Sequence, residues 1–257
     1  MKYPDIEHII SLSEKAAKCI VAIYREPSFA VSIKSDKSLL TLADTESHAI
    51  ICEDLAQYYP DIPVISEEST EFYSHDARQA WEYFFLVDPL DGTKEFVNRN
   101  DEFTINIALI HKDRPVMGVI NAPALGVIYY AEQGKGAFKI TKNKKIKLPF
   151  MSPKKEETVT VAVSRSHFCQ QTERFLEDLK NQRKNVSTIS AGSALKFGLV
   201  AEGRADMYPR FTPTMEWDTA AGQVLVNEVG KRVWVMGWDD ELRYNKKDLR
   251  NSGFLVG

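Results

Sequence analysis

Apolar residues recur at three- and four-residue steps near the start of the chain: Ile6, Ile9, Ile10, Ala16, Cys19, Ile20 and Ile23. That period predicts an amphipathic helix over residues 5–24, with Asp5 as its cap. A second helix is predicted over 44–58, with Ile51, Leu55 and Tyr58 on its apolar side. The period then changes. Residues 63–65 read as a short strand that delivers Glu67 and Glu68 at its end. The run Tyr83-Phe-Phe-Leu-Val87 is continuously apolar and suits a strand buried on both faces. Further strands are predicted over 103–110, 116–121 and 127–131, separated by turn signals at 113–115 and 123–126. Strands so close together predict an antiparallel meander rather than repeated βαβ units. The lysine-rich stretch 139–147 reads as a solvated hairpin, because Phe138, Ile140, Ile146 and Leu148 alternate around it.

The polar, proline-containing segment 151–157 is the predicted boundary between two lobes, 1–150 and 151–257, of one unit. Beyond it, helix and strand patterns alternate: a strand over 159–163, a helix over 170–179 and a strand over 186–189. A helix over 193–201, a strand over 206–208 and a helix over 219–229 follow, the last stopping at Gly230. The fold class is therefore α/β of the α+β kind, with a meander in the first lobe and an α/β second lobe.

Composition narrows the function. The chain has 257 residues, 33 basic against 36 acidic side chains and a formal charge of −3, which gives no electrostatic reason to expect nucleic acid as a partner. No apolar run approaches the roughly 18–20 residues of a membrane span. Asp5, Glu7 and His8 interrupt the apolar start of the chain, so it does not read as a secretory signal. Cys19, Cys52 and Cys169 are too few and too far apart for a disulfide framework or a zinc site. The expectation is a soluble, cytoplasmic protein.

The chemistry concentrates in Asp88-Pro-Leu-Asp-Gly-Thr93. Pro89 is expected to end the strand at Asp88, and Gly92 to allow a sharp change of direction. Two carboxylates three residues apart across such a turn can point to one place. At about 4 Å and an effective dielectric near 20 their repulsion costs roughly 4 kcal/mol, so either one is protonated or a cation lies between them. Oxygen-only donors favour hard Mg²⁺ over zinc. The amides of Gly92, Thr93 and Lys94 would then offer a phosphate site. On this motif alone a capped turn with solvated aspartates stands equally open. Glu67-Glu68 at a strand end, Asp218 at a helix start and Asp44 at capping-box spacing from Thr41 each have an ordinary structural explanation as well. Asp88 and Asp91 have two residues between them, which excludes the Asp-x-Asp nucleophile of haloacid-dehalogenase phosphatases. The chain also lacks a Gly-x-Ser-x-Gly elbow and a Walker loop.

Taken together, Ser66-Glu-Glu-Ser69, Asp88-Pro-Leu-Asp-Gly-Thr93 and Trp217-Asp-Thr-Ala-Ala-Gly222 resemble the inositol monophosphatase superfamily of Mg²⁺-dependent, lithium-sensitive phosphomonoesterases. The resemblance covers nearly the whole chain and implies a layered α-β-α-β-α fold. Residues 86–96, 102–110, 164–167, 192–197 and 208–211 are similar to the bacterial 3′(2′),5′-bisphosphate nucleotidase branch. That branch removes the 3′-phosphate of 3′-phosphoadenosine 5′-phosphate, and many members also take the 5′-phosphosulfate. The resemblance implies two or three Mg²⁺ ions. Glu67, Asp88 and the Leu90 carbonyl match the ligands of one ion; Asp88, Asp91 and Asp218 match those of another. Thr93 and Asp44 match the pair that activates water. Ser164, His167, Gly192 and Lys196 match nucleotide-binding positions, while Glu67, Leu90, Asp91, Gly92, Thr93 and Asp218 border the substrate phosphate. Leu39 stands where the family usually carries proline, which implies a looser lead-in to Asp44. An inositol or related sugar phosphatase, and a non-catalytic phosphate-binding regulator, are the competing readings. Peripheral association with the inner membrane face is a further expectation for its location.

Overall fold

The computed structural model describes residues 2–33, 39–69, 73–142, 144–150, 158–182, 185–237 and 240–257. The chain begins with α1 (Ile6–Arg25), β1 (Val31–Ile33), β2 (Leu39–Thr41), α2 (Leu42–Tyr58), β3 (Val64–Ser66) and α3 (His75–Gln79). It continues through β4 (Tyr83–Asp91), α4 (Thr93–Val97), β5 (Thr104–His111), β6 (Arg114–Ala122), β7 (Val127–Glu132), β8 (Gly136–Thr141) and β9 (Lys144–Lys147). The second half holds β10 (Thr158–Ser164), α5 (Gln170–Gln182), β11 (Asn185–Ala191), α6 (Leu195–Glu202), β12 (Tyr208–Arg210) and β13 (Thr214–Met215). It closes with α7 (Glu216–Asn227), β14 (Val233–Val235), β15 (Arg250–Asn251) and β16 (Phe254–Val256).

The apolar run at 83–87 lies in β4, within a seven-stranded sheet of order β3-β4-β5-β6-β7-β8-β9. Only the β3–β4 pair is parallel; from β4 to β9 the strands form the predicted antiparallel meander. Successive β4 side chains enter different cores, as a strand period of two requires. Phe85 and Val87 join Ile9, Ile20, Ile51 and Leu55 of α1 and α2. Phe84 and Leu86 join Phe197, Ala221 and Val224 of α6 and α7. The latter core extends to Ala162, Tyr208 and Val256, on strands of the second half. There β10 pairs with β11 in parallel, β12-β16-β14 form a small sheet, and a Val161–Met207 bridge links them. Phe175 and Leu179 of α5 pack with Val161 and Val163 of β10. The layers are thus helix, sheet, helix, sheet, helix.

Two of the boundaries that differ from expectation bear on the acidic tracts. β4 does not stop at Asp88; it continues to Asp91 through a register shift, with Asp88 opposite Asn106 and Asp91 opposite Thr104. Three steps on β4 therefore match two on β5, and the bulge takes up Pro89, which has no N–H to give a ladder. Helix α7 starts at Glu216 rather than 219, because Asp218 caps it by accepting the Met215 N–H at 2.8 Å. The 151–157 boundary lies outside the described residues. Among the described residues no helix is long and apolar enough to cross a membrane.

Close approach between layers depends on glycine. A Cβ on Gly118 would lie 2.7 Å from the Ala221 Cα, and one on Gly222 would lie 2.3 Å from the Phe197 ring. Gly222→Ala should therefore destabilise the protein by about 1–3 kcal/mol through overpacking. Urea unfolding should show a lower midpoint at unchanged slope, and an unaltered midpoint would mean that α6 and α7 are not in this contact.

Candidate active site

β3 and β4, parallel neighbours, end side by side. Glu67 follows β3, and its N–H donates to the Val87 carbonyl at 3.0 Å, placing it beside Asp88. Asp218, in the first turn of α7, comes from the opposite layer. Carboxylate oxygens of Glu67, Asp88 and Asp218 lie within 4.8 Å of one another. Asp91 belongs to the same electrostatic cluster. Its Oδ2 accepts from Thr104 Oγ1 and Asn106 Nδ2, both at 3.4 Å. Glu68, the residue after Glu67, is not in the group of three acids.

Burial drives the Asp88 carboxyl well above the ordinary range, and the charges of Glu67, Asp91 and Asp218 add to the shift. Asp218 is raised by burial and then by Asp91, and Asp91 by burial against the opposing charge of Lys196. Acids held together at this energetic cost, with oxygen as the only donor element, fit a hard divalent cation. The site's own chemistry thus meets the requirement for Mg²⁺.

After Asp91 the backbone turns at Gly92, whose φ of 88° lies in the left-handed region. A Cβ there would also stand 2.1 Å from Ser193 Oγ. Helix α4 then begins at Thr93, so the Thr93 and Lys94 amides belong to a first turn, where N–H groups have no partner within the helix. Thr93 Oγ1 donates to Asp44 Oδ1 at 3.2 Å. The other Asp44 oxygen accepts from the Thr41 N–H at 2.7 Å and Thr41 Oγ1 at 2.6 Å. Capping and contact with Thr93 thus coexist, one on each oxygen. Leu39 opens β2, which is paired with β1, and lines the cleft. The Thr41 contacts hold Asp44 despite the absence of proline before it.

A cleft of about 500 Å³ runs along these residues into the second half of the chain. Glu67, Asp88, Leu90, Asp91, Gly92, Thr93, Ser164, His167, Lys196 and Asp218 all line it. Asp44 and Gly192 stand behind its wall. The Gly192 N–H donates to Glu102 Oε2 at 2.8 Å, and a Cβ on Gly192 would lie 2.7 Å from the Glu102 carbonyl oxygen. Lys196 is buried and donates to the carbonyls of Ala191 at 3.2 Å and Ser193 at 2.6 Å. Burial lowers its pKa to about 8, against the raising effect of Asp91.

Sequence reasoning missed Lys94, Arg210 and Arg250, which bring positive charge to the same cleft. Arg210 Nη1 donates to Ser164 Oγ at 3.4 Å, and the same oxygen accepts the His167 N–H at 3.2 Å. The tract 208–211 signals only through its likeness to the nucleotidase branch, and three cations scattered over 157 positions of sequence form no local pattern. Partial burial, then Arg210 and Lys94, pull the His167 imidazole down to about 4.

The Inositol monophosphatase family profile matches residues 3–257. The chain belongs to this family. It is 43% identical over 256 residues to the 3′(2′),5′-bisphosphate nucleotidase CysQ of Salmonella typhimurium, with 98% of each chain covered. To the CysQ of Escherichia coli K12 it is 41% identical over 257 residues, again with 98% of each chain covered. Among solved structures, CysQ from Bacteroides thetaiotaomicron superposes with a TM-score of 0.87 at 41% identity, covering 96% of this chain and 94% of that one. The extragenic suppressor protein SuhB of Bartonella henselae superposes with a TM-score of 0.75 at 29% identity, covering 96% and 91%.

His167 supplies a test of the local electrostatics. Its NMR titration midpoint should fall near 4, against about 6.5 for a free imidazole. The unfolded chain then binds the proton first as pH falls, so this residue's contribution to stability is complete above pH about 6.5 and lost toward pH 4. His167→Gln should accordingly lose less stability than the wild type over that interval. A midpoint near the free value would place His167 away from Arg210 and Lys94.

Proposed function

We propose that the protein is a Mg²⁺-dependent 3′(2′),5′-bisphosphate nucleotidase that hydrolyses the 3′-phosphate of 3′-phosphoadenosine 5′-phosphate, releasing AMP and phosphate. The observation that carries this reading is the double character of one cleft. It holds four buried or half-buried acids that call for metal, and beside His167 it holds cations that suit a second phosphate. An inositol monophosphate has no second phosphate to occupy them. The nucleotidase relatives support the same substrate.

Glu67, Asp88 and the Leu90 carbonyl are assigned to one Mg²⁺, and Asp88, Asp91 and Asp218 to another. When bound, Mg²⁺ lowers the pKa of water and screens the phosphate charge. The remaining work falls to the chain. The Thr93 hydroxyl accepts a proton from the attacking water while passing its own to Asp44, whose second oxygen is anchored by Thr41. The amides at the start of α4 hold the phosphate oxygens as charge builds on them. A P–O bond forms to water oxygen and the P–O3′ bond breaks, leaving the ribose hydroxyl once it takes a proton. No covalent phosphoenzyme is required. Ser164, His167 and Lys196 line the nucleotide side, Gly192 shapes it from behind, and Arg210 with Lys94 and Arg250 receives the 5′-phosphate. The two lobes, 1–150 and 151–257, act as one catalytic unit, in a reducing compartment that suits the free thiols of Cys19, Cys52 and Cys169.

Phosphate release with Mg²⁺ should be faster from 3′-phosphoadenosine 5′-phosphate than from inositol 1-phosphate, and lithium should suppress it. The 5′-phosphosulfate, run in the same assay, measures how far the 5′ substituent is tolerated. Preference for inositol 1-phosphate would overturn the substrate assignment, and absence of release from any of them would favour a phosphate-binding regulator. Asp91→Asn should abolish turnover in a folded protein, and activity recovered at saturating Mg²⁺ would refute its role. Arg210→Gln should raise KM for the bisphosphate about tenfold or more, the scale of a lost charged hydrogen bond, while sparing adenosine 3′-phosphate. Equal effects on the two substrates would remove Arg210 from the 5′-phosphate.

A further inference from the structure

Helix α2 carries two polar side chains that the chemistry above leaves unused. Ser47 is fully buried and donates its hydroxyl to the Pro89 carbonyl at 2.8 Å. His48 shares a 2.8 Å hydrogen bond between Nδ1 and Ser66 Oγ, and Cys52 Sγ, one turn further on, lies 3.5 Å from the same nitrogen. Each contact reaches a segment that bears cluster acids. Pro89 lies between Asp88 and Asp91, and Ser66 immediately precedes Glu67. Asp44, on the same helix, receives Thr93. Positions 44, 47 and 48 are three and four steps apart, so they share one face. One rigid surface therefore grips the end of β3, the bulge of β4 and the start of α4.

The bulge makes the Ser47 contact consequential. Pro89 and Leu90 have no opposite residue in the β4–β5 register. A buried carbonyl outside a ladder needs another donor, and Ser47 supplies it to Pro89. On the other strand, Ser66 is bound on several sides. Its N–H meets Ser69 Oγ at 3.3 Å, its carbonyl accepts the Ser69 N–H at 3.0 Å, and its hydroxyl meets His48. The spacing between Glu67 and the Asp88–Asp91 pair is thus referred to adjacent residues of one helix. Divalent metal sites tolerate ligand displacements of only about 0.5 Å.

We propose that Ser47 and His48 are positioning residues for the metal centre: they set its affinity for Mg²⁺ by locking β3 and the β4 bulge to α2, without touching the ion. This rests on the reading that Glu67, Asp88, Asp91 and Asp218 hold Mg²⁺.

The test is the melting temperature as a function of Mg²⁺ concentration, with no substrate present. Ser47→Ala and His48→Leu should each raise the half-saturating Mg²⁺ concentration about threefold to tenfold, at the lower end of what distant ligand support is worth. His48→Asn places an amide where Nδ1 stood and should return the half-point to within about twofold of wild type. Ser66→Ala removes the same bond from its other end, so combining it with His48→Leu should raise the half-point no further than either change alone. It also carries the test if His48→Leu does not fold. Variants whose metal-free melting temperature falls while their half-points match wild type would overturn the proposal, since that is the signature of merely structural bonds. A wild-type protein whose melting temperature ignores Mg²⁺ would overturn the metal reading itself, and the inference with it.

Discussion

The repulsion among Glu67, Asp88, Asp91 and Asp218 is the constraint around which the molecule is arranged. A protein seeking only stability would not bury acids in one another's field, since each pair at about 4 Å costs roughly 4 kcal/mol at an effective dielectric near 20. The surrounding structure answers that cost locally. The Leu90 N–H donates to Asp88 Oδ1 at 3.1 Å, the Met215 N–H caps Asp218, and Thr104 with Asn106 reaches Asp91. Asp218 also lies in the first turn of α7, where the helix dipole favours negative charge. Buried Lys196 feels the same field, since Asp91 opposes the lowering of its pKa by burial. What these contacts leave uncompensated is the part that a bound cation neutralises.

Three of the acids come from the end of the large sheet and Asp218 from α7 packed on it, so their geometry depends on how the layers are fastened together. The fastening is polar near the site and apolar away from it. Ser193, itself at a left-handed φ of 47°, donates Oγ to the carbonyls of Asp91 at 2.9 Å and Glu102 at 2.7 Å. Glu102 in turn binds the Gly192 amide and Arg165. The Asp91–Thr93 turn and the helix that bears Lys196 are therefore adjacent by construction. Farther out, Gly118 on β6 lets α7 settle on the sheet against Ala221, and Gly222 on α7 leaves room for Phe197 of α6.

Much of this was legible in the chain because the strongest signals were local. The period of α1, the apolar run of β4 and the alternation through the meander each follow from one element's burial pattern. The acids were legible as motifs whose residues crowd into a few short tracts. What escaped were features set by tertiary contact. Pro89 reads as a strand terminator, yet a bulge carries the strand past it to Asp91. The α7 start reads three residues late because the bond that fixes it runs from the Asp218 side chain back to the Met215 N–H, which no sequence period reveals. Arg210 looks like an ordinary strand-end arginine until Ser164 and His167 are beside it. The short strands β13 to β16 have too few residues for any period to show.

These differences separate the reaction from its substrate. The acids and Thr93 proposed to carry hydrolysis come mostly from the first half, at or just past the ends of β3 and β4. The groups proposed to select a substrate come mostly from the second half: Ser164 and His167 at or just beyond the end of β10, Lys196 on α6, Arg210 at the end of β12. Ser193 joins the two sides by donating to the Asp91 carbonyl, and Lys196 by the effect of its charge on Asp91. Changes along the second wall can therefore alter what the cleft accepts while the metal geometry persists. On the proposed reading the cations around His167, rather than the acids, carry the argument for a substrate with two phosphates.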